Sequence, residues 1–152
     1  MKARGILLDN PTLTAYRMSF LTHCYMTPLS RLLEAEYGLL FHEWVVLFCL
    51  GLQNDLSAKD VSDVTGRPKN TISRAVHKLL NLKLIVRRAD ASDGRAHLLS
   101  LTPAGKNYYD EIVPRLQQKE SEIYGVLNSA ERKQLIKLLG KVIDHAVQQN
   151  CE

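Results

Sequence analysis

The apolar positions change period along the chain in an order that lays out its elements. From Thr12 to Tyr37, Leu13, Tyr16, Phe20, Leu21, Cys24, Leu29, Leu32 and Leu33 recur near helical spacing. Pro28 within that run predicts a kink, and Gly38 ends it. His42–Leu52 is apolar on most sides, which predicts a deeply buried helix, and Gly51–Asp55 reads as a polar turn. Ser57 with Asp60 is a close variant of a capping box. It opens a third helix with Val61 and Val64 on its inner face. Gly66 allows a tight turn. Pro68 then suits the first position of the next helix, where its missing N–H costs nothing. Over Pro68–Leu82, the residues Ile72, Ala75, Val76, Leu79 and Leu80 follow the amphipathic helical rule. After that the period shortens. Leu84–Arg88 and Ala96–Leu101 read as strands, joined by Asp90–Arg95 (DASDGR), whose Asp-Gly is a turn signal. Thr102 caps and Pro103 begins a helix to about Val126, with Pro114 expected to kink it. Asn128 or Ser129 caps a last helix to about Gln149, whose stripe is Leu135, Leu138, Leu139, Val142, Ile143 and Ala146.

Two short helices followed by two strands around a polar, Arg-bearing tip is the order of a winged helix-turn-helix, a module that grips duplex DNA. The expected fold class is mainly α with a small β wing, flanked by N- and C-terminal helices. All of it fits a single chain, 1–152, with residues 40–101 as the winged region and 12–37 and 103–149 as helical dimerisation regions. The first and last helices carry wide apolar stripes with too little chain left to cover them, which points to a homodimer.

Charge sharpens this reading. The net charge is only +4, but Ser57–Leu101 holds nine Lys/Arg against four acids, +5, and the remainder is −1. A polyanion-binding module concentrates its excess this way. The solvent face of Pro68–Leu82 presents Asn70, Arg74, His77 and Asn81, flanked by Ser73 and Lys78, with no acid. In helix-turn-helix modules the start of the second helix touches base edges. Here Lys69, Asn70, Thr71, Ser73 and Arg74 stand there. Arginine suits guanine and asparagine adenine, while Lys, Ser and Thr often take phosphates. Free N–H groups at the helix start also favour a phosphate. Arg67, His77, Lys78 and Arg88 complete the candidate contacts on the basic segment. On the wing tip, Arg95 can enter a narrow minor groove, oriented by Asp93 through a charge-assisted hydrogen bond. The plainer reading of that pair is an exposed ion pair of little energetic weight.

NTISRAVHKLLNLKLIVRR followed by DASDGRAHLLSLTPAGK closely resembles the MarR family of bacterial transcriptional regulators. The resemblance spans essentially the whole chain, and its D-x-R and L-T-x-x-G signatures are specific together. It implies a homodimer built by the first and last helices of both subunits and bound to a pseudo-palindromic operator, with Arg95 at the position of the wing arginines that occupy the minor groove. Lys83 departs from the family, which commonly has Gly before the first wing strand. In a left-handed backbone, Lys83 costs roughly 1 kcal/mol relative to Gly. The resemblance also implies a repressor released from DNA by an aromatic acid or phenol bound near the dimerisation helices. Tyr16, Arg17, Phe20, His23, Cys24, Trp44 and Phe48 are the candidate lining, although Phe20, Trp44 and Phe48 equally suit plain core packing. Some relatives sense oxidants through a first-helix cysteine, which makes Cys24 an alternative sensor. A DNA-binding or interaction module without an effector is the remaining alternative.

Other function classes find little support. His42-Glu43 is followed by Val46 rather than a second histidine at zincin spacing, and there is neither a G-x-S-x-G nor a P-loop. His23, His42, His77, His97 and His145 are scattered, and Cys24, Cys49 and Cys151 have neither zinc nor disulfide spacing. No catalytic residue, metal or cofactor is expected. No apolar run approaches the roughly 18 residues of a membrane span, the N-terminus lacks an apolar h-region, and a reducing cytoplasm is the expected compartment.

Overall fold

The computed structural model describes residues 5–6, 9–89 and 97–149. The elements run α1 (Leu13–Tyr37), α2 (Phe41–Leu52), β1 (Leu56–Ser57), α3 (Ala58–Thr65), α4 (Lys69–Asn81), β2 (Ile85–Ala89), β3 (His97–Leu101), α5 (Pro103–Tyr124) and α6 (Ser129–Gln149). This is a winged helix-turn-helix carried by longer helices. The DASDGR tip, with Asp93 and Arg95, lies outside the described residues. The chain forms two compact units, residues 1–116 and 117–152.

In the first unit the core is one apolar cluster. Leu33, Leu39, Trp44, Val46, Leu47, Val61, Ile72, Leu79, Ile85, Leu99 and Ile112 are all buried. The half-buried Tyr108, Tyr109, Val113 and Leu116 of α5 pack against it. The Trp44 ring lies 6.2 Å from that of Tyr109 and 5.7 Å from that of Phe48. Gly51 makes room for this stack, since a Cβ there would meet the Tyr109 ring at 2.1 Å.

Local chemistry sets the element ends. Gly38 and Gly66 both take φ +64°, ending α1 and α3 in left-handed turns that residues with a Cβ disfavour. Ser57 and Asp60 form the expected reciprocal cap, Ser57 N–H to Asp60 at 2.8 Å and Asp60 N–H to Ser57 Oγ at 3.1 Å. Thr102 Oγ1 accepts the Gly105 N–H at 3.1 Å, and Pro103 is the first residue of α5. Pro28 and Pro114 lie inside helices that continue past them.

Four local features differ from the sequence expectation. Val64 points outward, 73 % exposed, and Ser62 takes the inner position, where its hydroxyl donates to the Arg67 carbonyl at 2.6 Å. In a two-turn helix a buried hydroxyl with a backbone acceptor displaces a valine from the inner face. Pro68 is the N-cap of α4 and not its first residue. Its extended ψ of 138° lets its carbonyl accept the first helical N–H groups, those of Thr71 and Ile72. α2 starts one residue early, at Phe41, because the Glu43 carboxylate accepts the Leu40 N–H at 2.6 Å. The strand β1 also arises in what reads as a turn and helix cap. It pairs with β3, Leu56 opposite Leu99 and Ser57 opposite Leu98, giving sheet order β1-β3-β2. In the wing hairpin Ile85 opposes Leu101, Arg87 opposes Leu99 and Ala89 opposes His97.

In the second unit, Asn128 is the cap of α6. Its Oδ1 accepts the N–H groups of Ala130 and Glu131, and Glu131 returns a bond to the Asn128 N–H at 2.8 Å. No residue of α6 is buried. Among the described residues no single helix is long and apolar enough to cross a membrane.

Candidate nucleic-acid interface

The site is built on α4. Its amphipathic pattern buries Ile72, Ala75, Val76 and Leu79 and leaves Lys69, Asn70, Ser73, Arg74 and His77 exposed, with Thr71 half-buried. No side chain caps the helix at Pro68. The N–H groups of Lys69 and Asn70 therefore face outward without a side-chain acceptor, beside the positive end of the helix dipole. Such an end attracts a phosphate oxygen.

An open cavity of about 450 Å³ separates α4 from the wing strands, with Lys59, Ser73, His77, Arg87 and His97 at its polar edge. Among the described residues no acid lines it, so it suits an anionic backbone. Lys59, Arg87 and His97 were absent from the sequence-based contact set. Arg87 reaches this edge because the β2–β3 register sets it opposite Leu99, and register is not written in local composition.

Three of the expected contacts already have partners within the protein. Arg67 donates to His42 Nδ1 at 2.8 Å and stacks 5.0 Å above the Phe41 ring. Burial and the nearby Arg67 charge hold His42 below its ordinary pKa, which favours the neutral ring able to accept that bond. Arg88 grips Asp55, with its guanidinium nitrogen at 2.8 Å, and Asp55 also accepts from Ser100 Oγ at 2.7 Å. Those two bonds, Ser100's first, hold the Asp55 carboxyl below the usual carboxylate range. Asp55 therefore clamps both wing strands to the loop before α3. Lys78 turns towards Glu43, 2.9 Å away.

The candidate effector residues are divided between surface and core. Trp44 is 2 % exposed, inside the core, whereas Tyr16 and Phe20 are 43 % and 46 % exposed on α1. His23 is also exposed, with Thr27 Oγ1 at 3.3 Å from its ring nitrogen. Arg17 lies on the same stretch of α1. Cys24 is a half-buried free thiol. Among the described residues no three His, Cys, Asp or Glu side chains gather where they could hold a metal ion.

Residues 37–96, which include α2, β1, α3, α4 and most of the wing, match the model of the MarR family. The winged region of the chain is thus of the MarR type. Its winged module is of the DNA-binding type found in these transcriptional regulators. Among curated proteins it is similar to the HTH-type transcriptional regulator YwaE of Bacillus subtilis, 26 % identical over 111 residues, 73 % of this chain and 65 % of that protein. The match thus spans a little under two thirds of that relative's length. Among solved structures it is similar to the transcriptional regulator SlyA, with TM-score 0.83, 19 % identity and coverage of 91 % of this chain and 96 % of the other. It is also similar to Bordetella bronchiseptica BpsR, whose DNA binding is regulated by 6-hydroxynicotinic acid. That match has TM-score 0.73 and 27 % identity, over 85 % of this chain and 97 % of the other. The family's L-T-x-x-G signature has a visible physical basis here. Thr102 caps α5 and also donates to the Leu84 carbonyl at 3.1 Å, and Gly105 sits where a Cβ would lie 2.0 Å from that same oxygen.

Proposed function

We propose that the protein is a homodimeric, sequence-specific transcriptional regulator that represses from a pseudo-palindromic operator and is released by a small aromatic acid. The acid-free outer face of α4 carries this reading. In the bound state Asn70 and Arg74 read base edges in the major groove, and Lys69, Thr71, Ser73 and His77 approach phosphates or neighbouring bases. Arg95, oriented by Asp93, enters the minor groove from the wing. Dimerisation is supported by apolar side chains that each protomer leaves uncovered: Tyr16, Met18, Phe20 and Leu21 on α1, and Ile136, Val142, Ile143 and Val147 on α6. Residues 12–37 and 103–149 are the dimerisation regions in this reading, 40–101 the DNA-binding region, and the cytoplasm the compartment.

For the effector, an aromatic ring would bury against Tyr16 and Phe20 while Arg17 or His23 holds its carboxylate. The regulation of BpsR by 6-hydroxynicotinic acid supports that ligand class. Linkage requires DNA to weaken the ligand by the same factor as the ligand weakens DNA.

The test is selection of bound duplexes from a random-sequence pool, followed by titration across half-site spacings and salt. Two recognition helices on a two-fold axis need half-sites about one helical turn apart. Affinity should therefore collapse when the spacing changes by a few base pairs, and fall steeply with salt. Indifference to spacing, or a folded monomer in sedimentation at micromolar concentration, would refute the symmetric dimer.

A further inference from the structure

Lys78 belongs to the recognition helix, yet its ammonium is engaged by groups of the protein itself. Nζ lies 2.9 Å from Glu43 Oε2 and donates to the Gly38 carbonyl at 3.1 Å. Glu43 is a carboxylate with only 6 % of its side chain exposed, and the same Oε2 accepts the Leu40 N–H at 2.6 Å. Three elements are thereby joined around one oxygen: the left-handed turn that ends α1, the first turn of α2, and the third turn of α4. The buried part of the α2–α4 seam is otherwise apolar, built on Trp44, Leu47, Ile72, Ala75 and Leu79. Apolar packing is non-directional, so it holds two helices together more firmly than it sets their rotation. A buried carboxylate is strongly unfavourable without its partner. The ion pair thus supplies the directional restraint that the apolar seam lacks.

We propose that Glu43 is a positioning residue that holds the recognition helix in its DNA-reading orientation through Lys78, and that Lys78 serves this latch and not a DNA phosphate. The inference rests on the DNA-binding reading above. It extends that reading because Gly38 closes α1, the helix proposed to pair with the second subunit. The latch then lies on the route from the dimer interface to the reading head.

The test uses the full-length protein and a duplex that the wild type enriches from random-sequence DNA. Glu43→Gln, Lys78→Met and the double variant are measured on that duplex and on an unrelated duplex of equal length. Salt is varied, and the temperature is kept below the onset of melting. Gln keeps an oxygen for the Leu40 N–H and removes only the charge. Each single variant should lose about tenfold on the enriched duplex, within the range for residues that act through a network without touching ligand. The double variant should lose no more than the weaker single. Binding to the unrelated duplex and the salt slope should stay as in wild type, because phosphate contacts are untouched, and Lys78→Arg should restore specificity. The proposal is overturned if Glu43→Gln binds the enriched duplex as tightly as wild type or tighter. It is equally overturned if Lys78→Met weakens both duplexes alike and lowers the salt slope by about one, the signature of a phosphate contact. Should Lys78→Met not fold, the Glu43→Gln single and the double variant, which leaves no buried charge unpaired, decide the matter. A wild type that enriches no duplex at all would overturn the DNA-binding reading and this proposal with it.

Discussion

Adding one methyl group at Gly105 should cost more stability than most substitutions on the surface. A Cβ at this position would lie 2.0 Å from the Leu84 carbonyl oxygen and 3.0 Å from its carbon. Carbon and oxygen ordinarily come no closer than about 3.3 Å, so α5 and the start of β2 must part by more than about 1 Å. The neighbour is backbone and cannot rotate away. Two contacts cross this gap: the Thr102 N–H donates to Leu84 O at 3.1 Å, and the single Thr102 Oγ1 proton is shared between Lys83 O at 2.8 Å and Leu84 O at 3.1 Å. Overpacking of this kind costs about 1–3 kcal/mol, and each lost hydrogen bond about 1 kcal/mol. Alanine recovers about 1 kcal/mol of helix propensity over glycine. The net loss for Gly105→Ala is therefore about 2–4 kcal/mol, a fall in Tm of roughly 10 °C for a chain of this size. The assay is urea unfolding followed through Trp44, the sole tryptophan, at one protein concentration because association shifts apparent stability. A loss below about 0.5 kcal/mol, the usual scatter of surface substitutions, would refute the account given for the L-T-x-x-G signature.

Further outcomes follow from other sites. Lys83 and Asp55 both have positive φ, 56° and 64°. Lys83→Gly should raise stability by up to about 1 kcal/mol, whereas Asp55→Gly should lower it, because the carboxylate that joins Arg88 and Ser100 is lost; equal effects in denaturation would show that backbone strain or the clamp is misread. Arg74→Ala should cost about 1–3 kcal/mol in operator binding and relax preference at one or two base pairs, while Arg95→Ala should weaken all operators with little change in melting; wild-type specificity and affinity in both would remove their assigned roles. The carboxyls of Asp55 and Asp60 are held below their ordinary 3.8 chiefly by hydrogen bonds from Ser100 and Ser57. Their contribution is present above that value and is lost as pH falls through the depressed folded values, so the urea midpoint should drop below about pH 4, and Asp60→Asn should flatten that drop.

The elements were legible because local and global signals agree in this chain. The α4 pattern of Ile72, Ala75, Val76 and Leu79 is both a helical period and the buried face. Ser57–Asp60 and Thr102–Pro103 are helix starts whose hydrogen bonds are short-range and so visible in local sequence. What escaped was set by distant partners. β1 is two residues long and exists only because β3 lies beside it, too short for any period to show. Val64 looked like a core residue until the Arg67 carbonyl gave Ser62 an inward acceptor. At the candidate interface, charge and residue type picked out the face of α4 that the structure leaves exposed. They could not show that Arg67, Lys78 and Arg88 are engaged by His42, Glu43 and Asp55, because those pairs are 25, 35 and 33 positions apart. The condition attached to Lys83 is met, since its backbone is left-handed.

The last helix buries none of its residues in its own chain and leaves Ile136, Ile143 and Val147 more than half exposed. Most of a helix's stability in a protein comes from packing its apolar face rather than from propensity. In the proposed dimer it therefore takes its order from a neighbour, while the winged module keeps a core of its own. The genetics of such a molecule are not those of independent copies. In that proposed dimer, a chain damaged only on the outer face of α4 still pairs through α1 and α6 and passes its defect to an intact partner. In a cell holding equal amounts of both, three quarters of randomly formed pairs would carry at least one damaged chain, so such alleles should act dominantly over the wild type.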